Sequence, residues 1–427
     1  MVVPILLAIT GAPWEAEVVR RAERAPGLRV VRRCVDMADV LAAAGSGQAR
    51  AVLLAEDLPR LTADAVAALQ ARRIAVIALI DPAGPPDGPG GMPGSEDRLS
   101  RMGIERILPA DAGPEDLGRA ITDAVDAGPP VITSHFAGGF VPTPGPVAAA
   151  EPTRYDELSG TGRLIAVWGP TGAPGRSTVA VGLATELAAA GVSTLLADAD
   201  VYGGTVAQLL GMLDETSGLA AAARSAGSGS LDVPVLARQA RQVDPHLLVL
   251  TGLSRADRWT ELRPSAIEAV WSTARSLAPC TIVDVGFCLE SDEEISFDTL
   301  APRRNGATLV TLEAADEIIV VGSADPVGLT RLIRALHDLR SVVPSATTRA
   351  VVNRVRSGSL GSSPGDAAAE ALGRYAGVKP SALLPFDQAA CDAALSHGRS
   401  LAEAAKSSRL RKGLQQLASN VTTDLLT

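Results

Sequence analysis

The apolar run Leu164–Trp168 passes directly into Gly169-Pro170-Thr171-Gly172-Ala173-Pro174-Gly175-Arg176-Ser177-Thr178, and a helical pattern, Val179–Ala190, follows and stops at Gly191. Strand, glycine loop and helix in that order constrain the fold more than any other stretch, because such a loop turns a line of backbone N–H groups toward one point at a helix N-terminus. That point suits phosphate oxygens, cradled by the backbone of Gly172, Ala173, Pro174, Gly175 and Arg176. Ser177 would place a hydroxyl on Mg²⁺, and Thr178 would reach the α-phosphate. The pattern G-x-x-x-x-G-K-[ST] is matched imperfectly. Its first Gly falls on Pro170, with Gly169 one residue early, and Arg176 stands where the Lys belongs. Taken alone, the loop can also be read as a tight strand-to-helix turn.

Two later segments add to the phosphate reading. The run Leu195-Leu196-Ala197 ends in Asp198-Ala199-Asp200 and then Val201-Tyr202-Gly203-Gly204. A carboxylate such as Asp200 at that strand end lies near a γ-phosphate and can orient the attacking water. Farther on, Thr281-Ile282-Val283-Asp284-Val285-Gly286 is an apolar strand ending in Asp-x-Gly, which places Asp284 near Mg²⁺. Any single Asp at a strand end can also be a cap or turn former. Three such segments in this order support one another.

The rest of the chain alternates strands and helices. From residue 163 onward, strands are expected at Thr194–Ala197, Leu247–Leu250, Glu317–Val321 and Thr348–Val352 as well, which defines an α/β domain with a mainly parallel sheet over 163–427. Residues 1–127 carry five short apolar runs: Ile5–Ile9, Leu28–Val31, Ala51–Ala55, Ile74–Ile80 and Arg106–Leu108. Helical stretches such as Ala63–Ala71 and Pro114–Val125 lie between and after them. This resembles the flavodoxin-like receiver domain of two-component signalling. It departs from it where the chemistry sits: the first strand ends in Thr10-Gly11, no Lys occurs in this half, and Glu56 and Asp57 lack the Mg²⁺-binding acidic pair. The expectation is a degenerate receiver that binds partners. Pro82–Gly94 reads as a Gly/Pro-rich insertion and 128–162 as a Pro/Gly-rich linker.

Together the phosphate loop, DADVYGG, the Asp-x-Gly strand, DEEISFDTLAPRRN and ADPVGL resemble the ParA/MinD family of deviant P-loop ATPases. Within it they resemble the CpaE/TadZ branch, which joins a degenerate receiver to such a domain, and especially actinobacterial CpaE-like proteins described as septum-site-determining. The resemblance implies ATP and Mg²⁺ as ligands and a homodimer. It also implies protein partners in division or in pilus or secretion machinery. By it, Asn353 contacts the adenine, and Pro385, in Leu384-Pro385-Phe386-Asp387, lines the other side of the base. Alone, Asn353 is equally a turn former after a strand.

The chain departs from that family at two basic positions. The second Lys that reaches a partner's phosphates is Thr171 here, and the main loop Lys is Arg176. Only three basic residues are lysines (Lys379, Lys406, Lys412), and the other 36 are Arg, so a general Arg bias accounts for part of this. Arg keeps the charge but is planar and bulkier. Losing a well-placed charge near the γ-phosphate lowers rates by orders of magnitude, so ATP hydrolysis is expected to be slow or absent. Arg303 and Arg304 could replace the charge or pair with the acids of Glu290–Asp298.

A net charge of −9 and the lack of a helix-turn-helix pattern argue against sequence-specific nucleic-acid binding. Four scattered cysteines without a CxxC predict reduced thiols, and MVVPILLAIT reads as a first strand. A cytoplasmic protein is expected, recruited to septum, pole or the inner membrane face through partners. In the tail, Ala404–Ala418 sets Leu410, Leu414 and Leu417 on one helical face beside Lys406, Arg409, Arg411 and Lys412. The pattern fits packing on the domain core or contact with a membrane.

Overall fold

The computed structural model describes residues 2–82, 94–127, 162–212, 216–291 and 303–425. The insertion expected at 82–94 and the linker expected at 128–162 lie almost wholly outside the described residues. The chain forms two compact units, one built on the strands up to residue 109 and the other on those from 163 onward.

In the first unit the elements are β1 (Val3–Ala8), α1 (Glu15–Arg24), β2 (Leu28–Arg33), α2 (Met37–Ala44), β3 (Ala51–Ala55), α3 (Ala63–Ala71), β4 (Ala75–Ile80), α4 (Ser95–Arg101), β5 (Arg106–Pro109) and α5 (Pro114–Ala127). All strand pairs are parallel, in the order β2-β1-β3-β4-β5, which is the flavodoxin-like order. Strand alternation builds two cores. Leu6, Ala8, Val52, Leu54 and Ala78 face Val40, Val66 and Leu69, while Ile5, Leu7, Leu53, Ile77 and Leu79 face Val18, Leu117 and Ile121. At the end of β3, the Glu56 carboxylate accepts a backbone hydrogen bond from Asp81 at 2.9 Å, and the Thr10 hydroxyl after β1 donates to the Cys34 carbonyl at 3.1 Å. Both side chains serve the loops that bear them.

The second unit runs β6 (Arg163–Trp168), α6 (Arg176–Ala189), β7 (Thr194–Ala199), α7 (Val206–Leu209), α8 (Gly218–Gly227), α9 (Val233–Gln239), β8 (Arg241–Asp244) and β9 (Leu247–Leu250). It continues with α10 (Pro264–Leu277), β10 (Cys280–Val285), α11 (Gly306–Ala314), β11 (Glu317–Ser323), α12 (Pro326–Val342), β12 (Thr348–Val355) and α13 (Pro364–Ala376). It ends with β13 (Pro380–Pro385), α14 (Gln388–His397), α15 (Leu401–Ala404) and α16 (Arg409–Leu425). Eight strands form one sheet, β13-β12-β11-β6-β10-β7-β9-β8, parallel throughout except for the β8–β9 edge pair. The central strands are mostly apolar and, apart from Arg163, fully buried, as a sheet covered on both faces requires.

The strand order places the site. From β6 the chain crosses to β7, leaving a gap that β10 later fills, and only afterwards builds β11 on the other side of β6. In an open parallel sheet, ligands bind beyond the carboxyl ends of strands at such a reversal. Helix α6 lies across this sheet with Val179, Leu183 and Leu187 buried, and α16 covers it with Leu410, Leu414, Leu417 and Val421. A Cβ on Gly182 would meet Leu414 Cδ1 at 2.5 Å, so the bare backbone there is what allows the two helices to approach. Arg411 Nε reaches Glu186 Oε1 at 2.7 Å beneath the same contact. The leucine face of the tail is therefore core packing. Among the described residues no helix is long and apolar enough to cross a membrane.

Candidate functional site

The loop after β6 takes the conformation its glycines permit. Gly172 and Gly175 have φ of +73° and +89°, a region where side chains are strained. A Cβ on Gly175 would lie 2.2 Å from Asn353 Nδ2, and one on Gly169 would lie 2.4 Å from the Val321 carbonyl. The loop thus fits only without side chains at these points. Helix α6 starts at Arg176, earlier than its apolar pattern suggests, and no side chain caps it. Its first-turn N–H groups are left to face the mouth of the loop, the arrangement that binds anions.

Adjacent strand ends bring the acids to that mouth. Asp284 on β10 stands in register with Asp198 on β7 and Val167 on β6. Asp198 is held by its own turn, accepting from the backbone N–H of Asp200 at 3.2 Å and of Val206 at 3.0 Å. Burial pushes its carboxyl up to about 6, against the pull of those N–H donors. Asp284 is more extreme: it is fully buried, and its carboxylate has no hydrogen-bond partner beyond the Ser177 hydroxyl. Burial first, then the neighbouring Asp198 charge, drive its pKa well above the carboxylate range, while the facing Ser177 hydroxyl and Arg176 draw it back only in part.

An acid left this way beside a phosphate cradle fits a divalent cation, whose charge would supply what the protein withholds. Among the described residues no group of three His, Cys, Asp or Glu could hold a metal by itself. A cation here would be shared between Ser177, Asp284 and phosphate oxygens, as Mg²⁺ sites with few protein ligands are.

Arg176 and Asp200 meet. Arg176 Nη2 lies 3.3 Å from Asp200 Oδ2, and its Nη1 donates to the Gly169 carbonyl at 3.1 Å. Asp200 Oδ1 also accepts from the N–H of Tyr202 at 2.9 Å and of Gly203 at 3.3 Å. Beside the pair lies a cluster that the sequence did not reveal. The Tyr202 and Phe287 rings are 4.8 Å apart, the Arg304 guanidinium sits 4.3 Å over Tyr202, and the Tyr202 hydroxyl donates to Asn305 Oδ1 at 2.7 Å. Arg304 stacks on an aromatic face here, and most of the acidic run proposed as its partner lies outside the described residues.

Asn353 and Pro385, far apart in sequence, both line a cleft of about 410 Å³ with Gly175, Thr178, Phe386 and Leu410. The Asn353 amide Nδ2 donates to the Pro174 carbonyl at 3.0 Å. All residues expected at the site (Gly172, Ala173, Pro174, Gly175, Arg176, Ser177, Thr178, Asp200, Asp284, Asn353 and Pro385) thus lie at the carboxyl end of one sheet or in the loops beyond it. Asp198, Tyr202 and Phe287 were not expected. Only Asp198 carried a signal, alternating with Asp200 on a strand destined to lie beside Asp284.

The family model described as ParA: NUBPL iron-transfer P-loop NTPase matches residues 160–233. No curated protein matches the chain in sequence. A ParA family ATPase from Chlorobium tepidum TLS superposes with a TM-score of 0.51 at 18% identity, covering 62% of this chain and 100% of its own. The cell division ATPase MinD of Pyrococcus furiosus gives 0.49 at 19% identity, covering 61% and 99%. The septum site-determining protein MinD of Pyrococcus horikoshii OT3, complexed with Mg-ADP, gives 0.48 at 17%, covering 61% and 95%. The larger unit thus shares its fold with the ParA family ATPase, and the stretch that the family model matches contains the glycine loop.

Proposed function

We propose that this chain is a nucleotide-responsive positioning protein of the CpaE/TadZ kind, binding ATP with Mg²⁺ and hydrolysing it slowly or not at all. The observation that carries the reading is Asp284: a fully buried carboxyl with no hydrogen-bond partner beyond the Ser177 hydroxyl it faces at the mouth of a glycine loop. The loop backbone from Gly172 to Arg176 would hold the phosphates, Ser177 and Asp284 the cation, and Asn353 and Pro385 the base. Bound Mg²⁺ would neutralise charge on the phosphate oxygens.

Slow turnover follows from Asp200. Its carboxylate already accepts from Arg176 and two backbone N–H groups, so an attacking water would have to share Oδ2 with the Arg176 guanidinium. In this reading nucleotide sets homodimer formation, the flavodoxin-like unit recruits partners, and partners of division or of pilus or secretion machinery bring the protein to the septum, pole or membrane. The tail helix, with its leucines buried against α6, does not itself insert.

A nucleotide-independent scaffold is the second reading, favoured by the pairing of Arg176 with Asp200 and by Thr171 in place of a lysine. Titration with a fluorescent ATP analogue and Mg²⁺ separates the two. Saturable binding that Gly175→Val abolishes supports the switch, and a faster rate in Arg176→Lys marks Arg176 as the brake. No binding at millimolar nucleotide leaves the scaffold.

A further inference from the structure

A second guanidinium lies on the loop. Arg331, on the second turn of α12, donates from Nη1 to the Thr171 carbonyl at 3.3 Å. The same Nη1 lies 2.3 Å from where a Gly172 Cβ would stand, so it rests on the rim at a point the loop leaves bare. The side chain is exposed, and among the described residues this is its one hydrogen bond. A guanidinium has five N–H donors, so this one bond leaves most of its capacity to spare, although the nearby Asp325 carboxylate also feels its charge. Helix α12 is well anchored beneath it: Asp325 caps the helix by accepting from the Gly328 N–H at 2.9 Å.

The charge balance of the site calls for such a group. Asp198, Asp200 and Asp284 converge on the loop mouth, while Arg176 is held between Asp200 and the Gly169 carbonyl. A terminal phosphate would add negative charge on the open side of the loop, where Arg331 stands. A guanidinium can take two phosphate oxygens at once, and its single bond to a neutral carbonyl is readily exchanged for those charged ones.

We propose that Arg331 is a phosphate-binding residue that closes over the terminal phosphate of a nucleoside triphosphate held in the loop, and so sets a preference for triphosphate over diphosphate. The proposal rests on the nucleotide-binding reading above. Calorimetric titration of the full chain with ATPγS and with ADP, each with Mg²⁺, tests it. Arg331→Ala should weaken ATPγS by about tenfold or more and leave ADP affinity near that of the parent. Arg331→Lys should fall between, keeping the charge without the fork. Arg331→Ala binding both nucleotides in the parental ratio would overturn the assignment. A parent that binds neither nucleotide, or a Gly175→Val chain that binds both as well as the parent, would instead overturn the nucleotide reading beneath it. These failures appear without any Arg331 variant.

Discussion

Asn353 Nδ2 and the Pro174 carbonyl are joined at 3.0 Å across 179 positions of sequence, which ties the end of β12 to the phosphate loop. The Asn353 wall of the cleft and the glycine loop are thereby one mechanical piece.

Removing that tie should cost affinity. Asn353→Ala is expected to weaken binding of a fluorescent ATP analogue about tenfold, the loss of one buried hydrogen bond with its partner carbonyl left bare. Asn353→Asp should be worse than Ala, because it sets an acceptor against the Pro174 carbonyl. Parental affinity in both variants would detach Asn353 from the site.

Asp284 carries a burial penalty and the repulsion of Asp198, which outweigh what Ser177 and Arg176 give it. Asp284→Asn should therefore melt at or above the parental temperature without ligand. It should also lose the extra stabilisation that Mg²⁺ adds to nucleotide in the parent. Thermal melts with nucleotide, with and without EDTA, read both effects. An Asn variant that keeps the Mg²⁺-dependent shift would exclude Asp284 from the cation site.

The tail helix should behave as core. Leu414 is wholly buried against Gly182, and Leu414→Ala is expected to destabilise the larger unit by about 2–5 kcal/mol. Denaturant unfolding measures the loss. The parent should not co-float with liposomes, and parental stability in the variant together with co-flotation would turn the helix back into a membrane element.

Burial pushes two thiols up, Cys34 to about 11 and Cys280 to about 12. Above the ordinary thiol range the unfolded chain releases these protons while the folded chain keeps them. The unfolded state then binds fewer protons, so stability falls as pH rises, by at most about 1.4 kcal/mol per pH unit for each thiol. The loss should continue to about pH 11 for Cys34 and about pH 12 for Cys280. The Cys34→Ala/Cys280→Ala chain should show a shallower alkaline decline in denaturant melts. An unchanged slope would mean that neither thiol is held neutral.

Strands buried on both faces were legible because their apolar runs are unbroken. β3, β9 and α3 fall on their expected residues, Ala51–Ala55, Leu247–Leu250 and Ala63–Ala71. The sheet's two edge strands were not. β8, Arg241–Asp244, is polar and exposed, and β13 begins at Pro380, so neither shows the pattern of a covered strand. The tail was expected as one helix over Ala404–Ala418, but it breaks after Ala404. The Ser408 hydroxyl accepts from the N–H groups of Leu410 and Arg411 and donates to Asp387 at 2.8 Å, which starts a new helix. At the site, residue types at strand ends were readable, because the chemistry restricts them. The Arg176–Asp200 pair and the Arg331 contact depend on which strands become neighbours, and no local pattern carries that.

That strand order also sets a timetable. As the chain leaves the ribosome, β6 and its loop emerge long before the strands that flank them, since β10 ends at Val285 and β11 at Ser323, and α16 reaches α6 only beyond Arg409. At roughly 5–20 residues per second the wait from β6 to α16 is on the order of ten seconds or more. Until β10 has emerged, the glycine loop is tethered to a strand that lacks both of its sheet neighbours and has no Asp284 opposite it. A nascent chain halted before β10 thus carries the glycine loop without either of the strands that flank β6 in the finished sheet.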